Sequence, residues 1–131
     1  MWRIIMKYNI SVSDKNTYLH IRVNEAVTPE LLHDFITETA QKSNEYGIEN
    51  FLFDLQQSPN QVSAVTHYEF VYKRSKELGF KPASKHALLV DAEGMDVYSF
   101  VETLLVNAGY QGKMFVDKFA AIEWLEQKKN H

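Results

Sequence analysis

From Trp2 to Val12 the apolar side chains fall on the even positions Trp2, Ile4, Met6, Tyr8, Ile10 and Val12, while Arg3, Lys7, Asn9 and Ser11 take odd ones. A period of two sends the two sets to opposite faces, so this stretch predicts a half-buried β-strand. Ser13-Asp14-Lys15-Asn16 has the composition of a turn. Alternation then resumes, with Leu19, Ile21 and Val23 on one face and Tyr18, His20 and Arg22 on the other. Together they predict an antiparallel hairpin whose second face is mixed, either solvated or covered by a partner.

Thr28-Pro29-Glu30 opens a helix. Thr caps free amides, Pro suits the first helical position, and the acid favours the positive end of the helix dipole. Leu31, Leu32, Phe35, Ile36 and Ala40 follow at helical spacing up to Tyr46-Gly47-Ile48. The same punctuation returns at Leu78-Gly79-Phe80 and Ala108-Gly109-Tyr110. Each Gly is expected in the left-handed position after a helix, with the next apolar residue folding back on the last turn. After each comes a short apolar run: Phe51-Leu52-Phe53, Ala87-Leu88-Leu89-Val90 and Met114-Phe115-Val116. Such runs suit strands buried on both faces, which are parallel strands joined by right-handed helical crossovers.

The second helix is expected over about 64–78, carrying Val65, Tyr68, Val71 and Tyr72, and the third over about 97–108, with Val97, Phe100, Val101, Leu104, Leu105 and Ala108 on one stripe. A last helix is expected to start at the cap Asp117 and to bury Phe119, Ala120, Ile122 and Trp124 or Leu125. The order is ββαβαβαβα, an α/β class with a mixed sheet: an N-terminal antiparallel hairpin followed by parallel inner strands. No Pro/Gly linker divides the chain, so residues 1–128 read as one domain and 129–131 as a tail.

Composition narrows the setting. At 131 residues, a single domain buries roughly two-thirds of its unfolded surface and needs no staples. Cysteine is absent, which excludes disulfides, zinc-thiolate sites and thiol nucleophiles, and points to the reducing cytoplasm. The N-terminus is too interrupted by charge for a signal peptide, and no apolar run approaches the ~20 residues of a membrane helix. A net charge of −3 argues against nonspecific nucleic-acid binding, which needs Lys and Arg to displace phosphate counterions. Lys128-Lys129, at the end of the last helix, suit its dipole.

Candidate chemistry gathers around the loop from Gln56 to Ser63, because ligands bind beyond the carboxyl ends of parallel strands. Asp54, Asp91 and Asp117 follow the three inner strands and could hold a hard cation or form a phosphoacceptor pocket. Capping and turn roles explain them more simply, since a receiver-type acidic pair and lysine are missing. Ser63 and His67, four apart, could meet on one helix face with Asp54 orienting the imidazole, as in a hydrolase. No G-x-S-x-G elbow accompanies them; Ser63 as a helix cap and His67 as a solvated first-turn residue account for the same pattern. The histidines at 20, 33, 67, 86 and 131 lack metal-binding spacing, and no P-loop or GxGxxG cradles a nucleotide, so neither metal nor cofactor is expected. Tyr68, Phe70 and Tyr72 cannot all share one buried helix face. They mark either an apolar groove or partner surface, or a helix packed on two sides.

The hairpin, the capped helix ending in Tyr46-Gly47-Ile48 and the strand Asn50-Phe51-Leu52-Phe53-Asp54-Leu55 together resemble STAS domains, the anti-sigma-factor antagonist or SpoIIAA-like fold. The close is similar to the SpoIIAA-like branch, in which a final strand leads into an Ala-rich, Trp-Leu helix. It comprises Phe100-Val101-Glu102-Thr103, Asn107-Ala108-Gly109-Tyr110 and the run from Phe115 through Asp117-Lys118-Phe119-Ala120-Ala121 to Trp124-Leu125. The resemblance implies a phosphorylated serine at the start of the helix after the inner strand, here Ser63, that switches binding to a partner kinase. Gln61-Val62-Ser63-Ala64-Val65 stands where that family carries Asp-Ser-Ser/Gly-Leu-Gly. A related group, the Sec14-like lipid carriers, implies an apolar ligand between helix and sheet.

The expected function is a non-enzymatic regulatory or protein-interaction module, with a carrier or sensor of a small apolar ligand or lipid as the alternative. Ser63 and Ser58 are the candidate phosphoacceptor or contact residues, and no catalytic residue is assigned. Asp54, Gln56, Gln57, His67, Tyr68, Phe70, Tyr72 and Asp91 form the candidate binding surface. The expected partner is a protein, or a second copy of the chain meeting the mixed hairpin face to make a homodimer.

Overall fold

The computed structural model describes residues 6–127. Five strands, β1 (Tyr8–Val12), β2 (Leu19–Val23), β3 (Asn50–Asp54), β4 (Lys85–Leu89) and β5 (Gln111–Phe115), lie side by side in chain order. β1 and β2 pair antiparallel with Ile10 opposite Ile21, while the remaining neighbours are parallel, bringing Ile21 beside Phe53, Phe53 beside Leu88 and Leu88 beside Met114. The mixed α/β sheet expected from the sequence is therefore present.

Helices connect and close it: α1 (Pro29–Tyr46), α2 (Ala64–Glu69), a π segment (Phe70–Arg74), α3 (Ser75–Glu77), a 3₁₀ turn (Ala92–Gly94), α4 (Met95–Asn107) and α5 (Lys118–Glu126). None of the described helices is long and apolar enough to cross a membrane. Crossovers of constant hand between successive parallel neighbours emerge on one face. There Leu32 and Phe35 of α1, Val71 of the π segment and Leu104 of α4 pack with Ile21, Phe51, Phe53 and Leu88 in the main core. The alternate strand residues Leu52, Ala87 and Leu89 point the other way and meet only Ala121 and Leu125 of α5 among buried side chains.

Local signals set the helix ends. The Leu31 N–H donates to Thr28 Oγ1, and Pro29 occupies the first turn. Gly47, Gly79 and Gly109 all have positive φ, and the N–H of the following Ile48, Phe80 and Tyr110 each reaches a carbonyl five residues back. All three following side chains are buried, so the predicted stop motif is realised three times.

Several expectations need correction. The second helix is continuous but not uniform, because Ser75 diverts it into a π segment. β5 is not buried on both faces: it is an edge strand paired only with β4, so Met114 and Phe115 are half-buried and Val116 lies exposed beyond its end. Phe100 is exposed, since α4 turns only the Tyr98, Val101, Leu104 and Leu105 stripe inward. Phe119, at 81% exposure, and Ala120 face out of α5; the cap at Asp117 phases that short helix so that Ala121 and Leu125, one turn apart, take the buried stripe. Met6 is exposed and precedes β1. The predicted strand residues Trp2 to Ile5, the pair Lys128-Lys129 and the tail 129–131 lie outside the described residues.

Candidate functional site

Between the main face of the sheet, α1, the π segment and α4 lies a cavity of about 70 Å³. Phe35 of α1, Phe53 and Leu88 of the sheet, Phe70 and Val71 of the π segment and Val101 of α4 make most of its wall apolar. The irregular backbone beside it has a specific cause. Ser75 sends both its N–H and its Oγ, the latter at 2.7 Å, to the Phe70 carbonyl five residues back, so one side chain holds the widened turn. Such π segments recur at functional sites because they re-aim side chains without breaking the helix.

Four polar residues join this wall: His67, Ser75, His86 and Tyr98. His67 Nε2 lies 2.8 Å from Asn60 Oδ1, and Asn60 Nδ2 donates to the Val62 carbonyl. That second bond fixes the amide orientation, so Nε2 carries the proton and donates. Burial lowers the His67 pKa to about 4. His86 is buried with Nε2 2.8 Å from Ser84 Oγ and its ring parallel to that of Phe53; burial lowers its pKa to about 3. Both rings are neutral at pH 7. Tyr98 packs edge-on against His67, and its buried hydroxyl has no hydrogen-bond partner among the described residues; burial pushes its pKa well above the ordinary tyrosine value.

The residues predicted from sequence are dispersed. Ser63 caps α2 at the surface, accepting from the Thr66 N–H at 3.2 Å and donating to Thr66 Oγ1 at 3.0 Å. His67 is buried rather than solvated, because the loop places Asn60 over it. Ser58, expected at a contact surface, is instead buried and donates to the Val23 carbonyl at 2.8 Å, where Val27 pins the loop through Pro59 and Gln61. Asp54 lies on the opposite sheet face from the cavity, since it alternates with Phe53. There its Oδ2 stands 3.8 Å from His20 Nε2, too long for a hydrogen bond, while the Gln56 N–H donates to Oδ1. Burial opposes charge on Asp54, but His20, the Gln56 N–H and Arg22 outweigh it and hold the carboxyl below its usual value.

Ser63, His67 and Asp54 are thus engaged elsewhere and do not assemble as a hydrolase triad. Gln56 and the exposed Gln57 border a small recess with Arg22 and Asp54. Asp91 is exposed and caps the 3₁₀ turn, and Asp117 caps α5. Among the described residues no carboxylate or histidine cluster could hold a metal. The aromatic trio divides: Phe70 walls the cavity, while exposed Tyr68 stacks on half-buried Tyr72 with ring centroids 4.6 Å apart. Sequence reasoning missed Tyr98 and His86. Tyr98 stands three and seven residues before Val101 and Leu105, a helical spacing that marks it as inward-facing. His86 opens the apolar run of β4 and shares its burial.

No family model matches the chain, and no curated protein matches it. Among solved structures it is similar to an uncharacterized protein of the DUF3478 family with a SpoIIAA-like fold from Shewanella loihica PV-4. The two share 20% identity over 95% of this chain and 98% of that one, with a TM-score of 0.60. The chain has a SpoIIAA-like fold.

Proposed function

We propose that the protein is a non-enzymatic binding module that takes a small, largely apolar ligand into the cavity between its helices and sheet. The observation that carries this reading is the Tyr98 hydroxyl, a buried donor without a partner among the described residues, in a wall that is mostly apolar. Leaving such a group unpaired costs about 1–3 kcal/mol, which an acceptor on a ligand recovers. Neutral His67 and His86 present rings rather than charge, in keeping with an uncharged occupant. At about 70 Å³ the cavity is smaller than the ~150 Å³ that holds benzene, so accommodating a ligand requires a wall to move. Phe70, half-buried on the irregular backbone of the π segment, is the wall residue best placed to move. The absence of cysteine fits a cytoplasmic setting for such a module.

NMR titration with acetophenone and ethylbenzene, matched in shape and differing in an acceptor, tests the reading. Both should shift amides around the cavity, acetophenone more tightly, and Tyr98→Phe should remove about tenfold of its advantage while leaving ethylbenzene unchanged. Failure of both probes to reach the cavity would end this reading.

A second reading, an interaction module regulated at Ser63, draws on Val65 and Tyr68, two large apolar side chains exposed one turn apart beside that serine. Phosphate on Ser63 would meet the helix amino terminus, where dipole and free amides favour it. Intact mass of protein isolated from its native cells is the check: an unmodified chain under all growth conditions removes the switch.

A further inference from the structure

Outside the cavity an open groove of about 350 Å³ is bordered by His33 of α1, Glu69 and Glu77 of the flanking helices, and Phe70, Lys73 and Arg74 of the π segment. Phe70 belongs to both walls, so a single half-buried ring separates the groove from the apolar cavity behind it. Arg74 spans the groove, its guanidinium 3.1 Å from His33 Nδ1. A guanidinium has only donors, so Nδ1 accepts and bears no proton in this arrangement. The other Arg74 contact, 3.5 Å to Glu77, is exposed and worth little. Lys73 is exposed and makes no ion pair among the described residues. Two cations thus stand at the mouth of the cavity without a strong partner. A carboxylate offers Arg74 a bidentate, charge-assisted pair stronger than the bond to a neutral imidazole.

From this juxtaposition we propose that the ligand is an amphiphile headed by a singly charged carboxylate. Its apolar part passes Phe70 into the cavity, and its head group stays in the groove on Arg74 and Lys73. The inference rests on the cavity reading above and adds the head group to it. Glu69 and Glu77 on the same groove match its two cations in number, so a second negative charge on the head would meet their repulsion and a singly charged head suits the groove better. Rotation of the Phe70 ring joins the two spaces, and the ligand acceptor that meets Tyr98 lies on the apolar part.

Calorimetric titration of the full chain with octanoate, octanol and octyl phosphate tests it, with amide shifts locating the site. Octanoate should bind about tenfold more tightly than octanol, as expected for a charge-assisted pair, and more tightly than octyl phosphate. Substituting both Lys73→Ala and Arg74→Ala should erase that preference, bringing octanoate to the level of octanol or below; both positions are surface-lying, and a thermal melt confirms the fold. Equal binding of octanoate and octanol, or a preference that survives the double substitution, overturns the head-group assignment and leaves the cavity reading intact. Tightest binding by octyl phosphate overturns the single-charge assignment. If octanol, octanoate and the neutral aromatic probes all fail to shift cavity amides, the cavity reading falls and this inference with it.

Discussion

His67 and His86 titrate against their surroundings, because burial among rings and aliphatic groups disfavours the imidazolium of each. Their folded-state pKa values, about 4 and about 3, lie below the ordinary histidine value of about 6.5. Between those limits the unfolded chain binds more protons than the folded one. Stability is therefore complete above about pH 6.5 and declines as pH falls, by roughly 2 kcal/mol for each ring at pH 5. Asp54, with its carboxyl held low, adds stability above its unfolded pKa that is lost as pH falls through the folded value, so it steepens the same decline further toward acid. Urea midpoints measured from pH 7.5 to 5 should fall steeply for the parent protein and less so for His67→Gln, which keeps a donor toward Asn60 and cannot charge. An identical slope in that variant would show that the buried ring carries no protonation cost.

Elements were legible where their cause is local. The helix stops at Gly47, Gly79 and Gly109 are written in three consecutive residues each, and the inner strands β3 and β4 in runs with nothing polar to place outward. What could not be read depends on partners distant in sequence. The phase of α5 follows from which stripe meets Leu52 and Leu89, and the half-burial of β5 from its place at the sheet edge. The π segment turns on one competition, Ser75 against the regular helix for the Phe70 carbonyl. The site suffered most, since Tyr98 meets His67, and Arg74 meets His33, only after folding, and the residues singled out by motif logic, Ser63 and Asp54, serve capping and sheet electrostatics. Gly112 is the same lesson in β5. Its backbone runs so close beneath α4 that an added Cβ would stand 2.6 Å from Leu105 Cβ. Gly112→Ala should therefore cost about 1–3 kcal/mol through overpacking, although Ala is the better strand residue by propensity. A thermal melt at or above the parent temperature would contradict the close approach.

At the scale of the molecule the sheet divides the protein into two unequal halves. One face carries α1, α2, the π segment and α4 over the large core and the cavity; the other carries α5 alone, with Ala121 and Leu125 as its only buried side chains. Polar ties hold its carboxyl end, among them Thr17 Oγ1 to Glu126 at 2.7 Å, Asn50 Nδ2 to the Leu125 carbonyl at 3.2 Å and Lys85 Nζ to the Trp124 carbonyl at 2.8 Å. With so little apolar surface committed, α5 should open as a unit below the free energy of global unfolding. Native-state hydrogen exchange should give α5 amides a lower opening free energy and a smaller denaturant dependence than those of Leu52 and Phe53. Leu125→Ala, which removes the larger anchor at a cost of about 3 kcal/mol, should nearly abolish α5 protection. Because the cavity lies across the sheet, the same variant should bind acetophenone as the parent does wherever it remains folded. Equal opening energies for α5 and β3 would mean that the two faces unfold together. The cavity would then answer to changes on the far side of the sheet, and the anchor variant would lose ligand along with its helix.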